Sequence, residues 1–292
     1  MATRSLRFAP ALFVLFIAHS SVRAQSQTDS VARGAVPLAA HRSAWQTIGD
    51  DINTSISDAG MVFTAPARFD TEHWIDFSSV LLGTAMVMTQ DSSGRRWVKE
   101  TKQSATPANP HTELDNLTTL GNFYGNAAVG VAIAAGVYAG GLAAGSDNVR
   151  VTGRMVFESL LFAGATTTVL KVLIGRGRPY TDQGPYAFHG LQFGADNNSL
   201  PSGHTTVAFA VSSVLAARIN KPIASVLLYG LAAVTAGARI YSDNHWMSDT
   251  FVAAAIGTSI GYGVAHLHDD DGAQHTWRVV PTLSGIAVVA QL

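Results

Sequence analysis

Between Asn116 and Ser146 the chain carries no charged residue and is dominated by alanine, glycine and valine. Such a run has two outlets, a membrane span or a fully buried helix. Further apolar segments follow at about 155–174, 204–217, 222–238 and 246–265, separated by short polar joints such as "SDNVRVTGR" and "RINKP". The succession predicts an all-α helical bundle without internal repeats. Charged residues are only 13% of the chain and mean hydropathy is +0.20, apolar for a soluble protein. A net charge of −1 rules out a globally basic surface, so no nucleic-acid partner is expected and any anion site must be local. The absence of cysteine excludes disulfides, thiolate metal sites and a cysteine nucleophile.

The two ends differ from this pattern. "MATRSLRFAPALFVLFIAHSSVRAQSQ" has Arg4 and Arg7, a short apolar core and the small-x-small sequence Val22-Arg23-Ala24. This reads as a secretory signal over residues 1–24, cleaved after Ala24, the apolar core being short for an anchor. Residues 25–70 read as a flexible leader and N-terminal segment, and residues 71–268 as the helical domain, with a helix around Ser78 to Met88 and the charged stretch "SSGRRWVKETK". In the tail, 269–292, "TWRVVPTLSGIAVVAQL" has a β pattern with Ser284-Gly285 as a tight turn, and Pro281 argues against a central strand. His266, His268 and Asp269 to Asp271 read as a solvated helix end, since no further ligands are spaced to complete a metal shell.

Three patches carry chemistry. In "KVLIGRGRPY", Lys171 ends an apolar helix, and Gly175, Gly177 and Pro179 break it, leaving Arg176 and Arg178 on a loop. These cations are either helix-dipole and headgroup partners or part of an anion site. In "NNSLPSGHTTVAFA", Ser202, Gly203 and His204 stand at a helix start, where unpaired N–H groups and the positive end of the macrodipole suit an anion. The plain alternative is capping by Ser202. In "ARIYSDNHWMSD", Arg239 precedes His245, and Asp249 lies four residues further on. If that part is helical the two share a face, and the carboxylate can orient the imidazole as a nucleophile or base. Otherwise they are a polar i,i+4 pair worth about 0.2–0.5 kcal/mol.

Taken in order, Lys171-x6-Arg178-Pro179, Pro201-Ser202-Gly203-His204 and Arg239-x5-His245-x3-Asp249 resemble the signature of the type 2 phosphatidic acid phosphatase superfamily. That superfamily includes lipid phosphate phosphatases, bacterial class A acid phosphatases and vanadium-dependent haloperoxidases. The resemblance covers about Gly121 to His266, with one departure, Ala238 where the family usually has serine. It implies a helical bundle of that type over 71–268. It also implies that Lys171, Arg178 and Arg239 grip phosphate, with the Ser202 hydroxyl and Gly203 N–H as further donors. His245, oriented by Asp249, would attack phosphorus and form a phosphohistidine. His204 would protonate the leaving oxygen, and water would release phosphate, with no metal or cofactor.

The reaction expected is hydrolysis of phosphate monoesters or lipid (di)phosphates. A haloperoxidase would hold vanadate on the same residues, but "LPSGHT" and the close motif spacing resemble the phosphatase branch. A non-catalytic lipid-phosphate-binding protein would not need the complete residue set. With the signal, the resemblance implies export to a bacterial cell envelope, either membrane-associated with a periplasmic active site or soluble in the periplasm. If the helices span, the basic joints Arg150 to Arg154 and Arg218 to Lys221 face the cytoplasm and all three motifs face the periplasm. A cleaved signal is compatible with that side only if Ser78 to Met88 does not span. An apolar bundle favours a lipid phosphate or polyprenyl diphosphate, a soluble one small phosphomonoesters.

Overall fold

The computed structural model describes residues 43–106, 111–267, 276–282 and 285–291. The signal over 1–24, the leader up to residue 42, and the group His268 with Asp269 to Asp271 lie outside the described residues. Those described form α1 (Ala44–Thr64), α2 (Thr71–Met88), α3 (Asp91–Gln103), α4 (Thr112–Tyr124), α5 (Ala127–Ala144), α6 (Asp147–Ile174), α7 (Gly203–Ile219), α8 (Pro222–Tyr241) and α9 (Met247–His266). The expected β pattern in the tail forms an antiparallel pair, β1 (Thr276–Thr282) and β2 (Gly285–Gln291), with Thr276 opposite Gln291 and Thr282 opposite Gly285.

The predicted bundle is present, with two differences. The uncharged run from Asn116 to Ser146 is two helices, because Gly125 closes α4 and the Asn126 side chain caps α5 by accepting from Ala128 N–H at 2.8 Å. Composition hides that stop and start. Upstream, where the sequence predicts one helix at Ser78 to Met88, the structure has α1, α2 and α3. Helix α1 opens with a capping box in which Gln46 N–H donates to Ser43 Oγ and Ser43 N–H to Gln46 Oε1. Its inner face mixes polar and apolar groups: Asp51 and Asp58 are buried and Ala59 and Val62 pack against the core, while Ile52, Ile56, Met61 and Phe63 are exposed. Asp51 accepts from the Tyr138 hydroxyl at 2.6 Å and pairs with Arg150, and Ser55 donates to Glu158 at 2.6 Å. A helix that buries carboxylates and exposes aliphatics defeats a reading that assigns apolar positions to the core.

Helix α7 lies at the centre, packed on α6, α8 and α9, with α5 against α6 and α4 against α8. Met155, Val156 and Phe162 of α6, Ala208, Phe209, Val211 and Val214 of α7, Ala232 of α8 and Val264 of α9 form the core with Tyr124 and Ala134. Helices α7 and α9 touch backbone to backbone. A Cβ on Gly257 would stand 2.6 Å from the Thr206 carbonyl oxygen, and one on Gly261 2.6 Å from that of Ala210. At one end of the bundle Ser202 N–H donates to the Asp249 carbonyl at 3.2 Å, joining the starts of α7 and α9. At the other, Arg218 near the end of α7 bonds Asn148 and Thr152 at the start of α6.

Candidate active site

The motif-bearing end is assembled from four helix termini and the loop between α6 and α7. Helix α6 stops at Gly175, whose φ of 60° is left-handed, with its N–H on the Lys171 carbonyl. Lys171, in the last turn, donates from Nζ to the Asn198 carbonyl at 2.5 Å. Arg178 is held by Nε donation to the Ala195 carbonyl at 2.9 Å. Arg239, in the last turn of α8, donates from Nη1 to Asn122 Oδ1 at 2.8 Å, and its buried Nε has no hydrogen-bond partner among the described residues.

Ser202 is the N-cap of α7, but its side chain makes no capping bond; its oxygen instead accepts from Thr205 Oγ1 at 3.0 Å. The first-turn N–H groups, Gly203 among them, thus remain available to an anion. His204 follows immediately. Burial, then the charges of Arg239, Arg178 and Lys171, push its imidazole down to about 4. All three predicted cations therefore act on one histidine.

The third motif departs from the expected geometry. Helix α9 begins at Met247, so His245 precedes it and is not on a shared helical face with Asp249. Their approach comes from the turn. His245 Nδ1 lies 3.5 Å from Asp249 Oδ2, close but without a formed hydrogen bond. Asp249 Oδ2 accepts from Trp246 N–H at 2.9 Å and from Ser199 Oγ at 2.5 Å, and Oδ1 accepts from Arg176 Nη1 at 2.5 Å. Burial alone would raise this carboxyl, but His245, Arg176 and Ser199 hold it below the usual carboxylate range. Burial drives His245 down to about 3 against the pull of Asp249, helped by Lys171 and Arg178.

Residues 153–273 match the model of the PAP2 superfamily. Over this segment the chain is similar to that superfamily. The segment contains every predicted site residue: Lys171, Arg178, Ser202, Gly203, His204, Arg239, His245 and Asp249. Over 108 residues the chain is 33% identical to a lipid A 1-phosphatase of Porphyromonas gingivalis, covering 35% of this chain and 24% of that protein. Over 111 residues it is 32% identical to a lipid A 1-phosphatase of Rhizobium etli, covering 36% of this chain and 45% of that one. The chain thus spans less than half the length of these curated relatives. Among solved structures it is similar to Aquifex aeolicus LpxE, with TM-score 0.42 and 21% identity over 58% of this chain and 92% of that one. It is also similar to a transmembrane PAP2 type phosphatidylglycerolphosphate phosphatase from Bacillus subtilis, with TM-score 0.47 and 18% identity over 66% and 95%.

Ser199 and Asn122 at this site were not among the predicted residues, and Arg176, offered as a loop cation, takes neither of the two roles expected for it. Arg176, two residues before Arg178, is fully buried and does not join the cations around His204. Ser199 stands just ahead of the second motif. Asn122 comes from α4, which closes on α8 because Gly121 has no side chain: a Cβ there would meet the Val234 carbonyl at 2.7 Å and Ala238 Cβ at 2.8 Å. The same contact accounts for a small residue at Ala238, the family's departure position.

Proposed function

We propose that this protein is a lipid phosphate phosphatase working through a phosphohistidine. The observation that carries the reading is the convergence at one end of the bundle of Lys171, Arg178 and Arg239 with the uncapped first turn of α7 and His204, beside a buried His245 whose Nδ1 lies 3.5 Å from Asp249. Three cations and the start of α7 offer a preorganised cradle for the charge that builds on the phosphoryl oxygens. The Nδ1 edge of His245 faces Asp249, so the Nε2 lone pair attacks phosphorus. As the P–O bond to the lipid breaks, His204 gives its proton to the leaving oxygen. The neutral His204 then takes a proton from water, whose oxygen attacks the phosphohistidine, releasing inorganic phosphate and restoring both imidazoles.

Lipid substrates are favoured by the surface. Helices α5, α6 and α8 are each long and apolar enough to cross a membrane, and α2 is not among them. Ile223, Val226 and Leu227 of α8 and Leu161, Val169 and Leu173 of α6 are exposed, a burden for a helix in water and none for one in lipid. Arg150, Arg154, Arg218 and Lys221 gather at the end opposite the site, which by the positive-inside bias favours a site facing away from the cytoplasm. The curated relatives named above favour phosphorylated glycolipids of the lipid A type within this class.

The test is phosphate release by the purified full chain in detergent from lipid A 1-phosphate, phosphatidic acid and p-nitrophenyl phosphate. Hydrolysis inhibited by vanadate is expected. Oxidation of bromide by the vanadate-loaded protein, without hydrolysis, would replace this reading by the haloperoxidase one.

A further inference from the structure

Helix α3 lies outside the PAP2 segment, yet it sends a carboxylate into the site. Asp91, in its first turn, is fully buried, and its oxygens serve α9 and Arg176 rather than α3. Oδ1 accepts from Ser248 N–H at 3.0 Å, and Oδ2 accepts from Ser248 Oγ at 2.6 Å and from Arg176 Nη2 at 2.8 Å. Arg176 in turn donates from Nη1 to Asp249 Oδ1 and to Ser248 Oγ, and from Nε and Nη2 to the Pro185 carbonyl. A planar guanidinium with a carboxylate on each Nη has no freedom to rotate. Helix α3 is seated closely enough for this because Gly94 packs against the Met247 side chain, and Arg95 bonds Asp243 at 2.9 and 3.0 Å on the turn that carries His245.

We propose that Asp91 is a positioning residue for the Asp249–His245 pair, acting through Arg176. The proposal rests on the phosphatase reading for its kinetic arm. Charge gives the reason. Arg176 paired with Asp249 alone would neutralise the carboxylate that must stabilise His245 as it gains positive character. With Asp91 sharing Arg176, the buried trio keeps one negative charge for the imidazole. The bridging Ser248 hydroxyl and the two-sided grip on Arg176 also fix the plane of the Asp249 carboxylate. Neutralising Asp91 leaves Lys171, Arg178 and Arg239 untouched, so the chemical step and not substrate binding bears the loss.

The experiment compares full-length wild type, Asp91→Asn and Asp91→Glu in detergent. Turnover of p-nitrophenyl phosphate is expressed per vanadate-binding site, so that a partly folded variant is still read. Asp91→Asn is expected to lower kcat about tenfold or more, by analogy with the loss of a carboxylate partner behind a metal-bound histidine. KM and vanadate affinity should stay within about twofold, the pattern of an interaction made only in the transition state. Asp91→Glu, which keeps the charge, should recover part of kcat. Wild-type kcat per site in Asp91→Asn, or a loss matched by weaker vanadate binding, overturns the proposal. A second readout is independent of turnover: ring nitrogen signals of 15N-histidine protein, assigned to His245 with His245→Gln. These should report an Nδ1-protonated ring in the wild type and a changed tautomer balance in Asp91→Asn. An inactive wild type would sink the phosphatase reading alone, and unchanged His245 signals would sink the role of Asp91.

Discussion

Arg176 Nη1 donates to Asp249 Oδ1 across 2.5 Å, and neither side chain has any exposure to solvent. The carboxylate behind the proposed nucleophile is therefore already bound on its far side before it meets His245, 3.5 Å away on the near side. A buried guanidinium between two carboxylates sets both the stability of this end of the bundle and the charge the histidine feels.

Removing that guanidinium should be severe. Arg176→Met leaves Asp91 and Asp249 buried without their shared cation, and breaking a buried pair costs about 3–5 kcal/mol. Denaturant unfolding in detergent should show a loss of that order. A loss under about 1 kcal/mol would mean the trio is not the structural brace described here.

The two histidines should separate by substrate. His245→Ala should abolish turnover of every substrate, since no phosphoenzyme forms. His204→Ala should lose most on alkyl phosphates and least on p-nitrophenyl phosphate, whose leaving group needs little protonation. Acid-labile, base-stable phosphate should be trapped on His204→Ala with the activated ester. Its appearance on His245→Ala would exchange the two roles.

The pH dependence follows from the two lowered imidazoles. His245 must be neutral to attack, so kcat/KM falls on the acid side only as pH drops toward about 3. His204 must be protonated to act as an acid, so kcat/KM falls as pH rises through about 4. A bound phosphate dianion offsets Arg239, Arg178 and Lys171, favours the imidazolium, and moves the basic limb of kcat to higher pH. Rate profiles should show that displacement, and His204→Ala should erase the basic limb of kcat. Coincident basic limbs would remove His204 from the acid role.

Packing at the helix crossing is equally testable. Gly257→Val would set its Cβ against the Thr206 carbonyl at 2.6 Å and Ala210 N at 2.9 Å, both backbone atoms. Helices α7 and α9 must then part, with a stability loss of about 1–3 kcal/mol and reduced activity, because the same crossing holds Ser202 against Asp249. A thermal melt and assay at wild-type levels would show that the crossing tolerates more than its geometry allows.

The sequence by itself determined the bundle from α6 to α9, because those helices are apolar runs bounded by local signals such as Gly175, which ends α6, and Pro222, which opens α8. It also determined the residues of the three motifs, whose spacing is written along the chain. What it could not contain was the brace. Asp91 and Ser248 are 157 residues apart, and nothing in "SSGRRWVKETK" distinguishes a buried anchor before it from a solvated charge. Helix α1 was hidden for a related reason, since its buried face carries Asp51 and Asp58 and so breaks the apolar pattern on which sequence reading depends. The His245–Asp249 approach illustrates the division most closely. Chain spacing brought the pair within reach, but the start of α9 at Met247 decided that they meet across a turn, and Arg176 decided which carboxylate oxygen was left to face the imidazole. Periodicity is a local property of the chain, whereas the environment of a buried charge is made by every element packed around it.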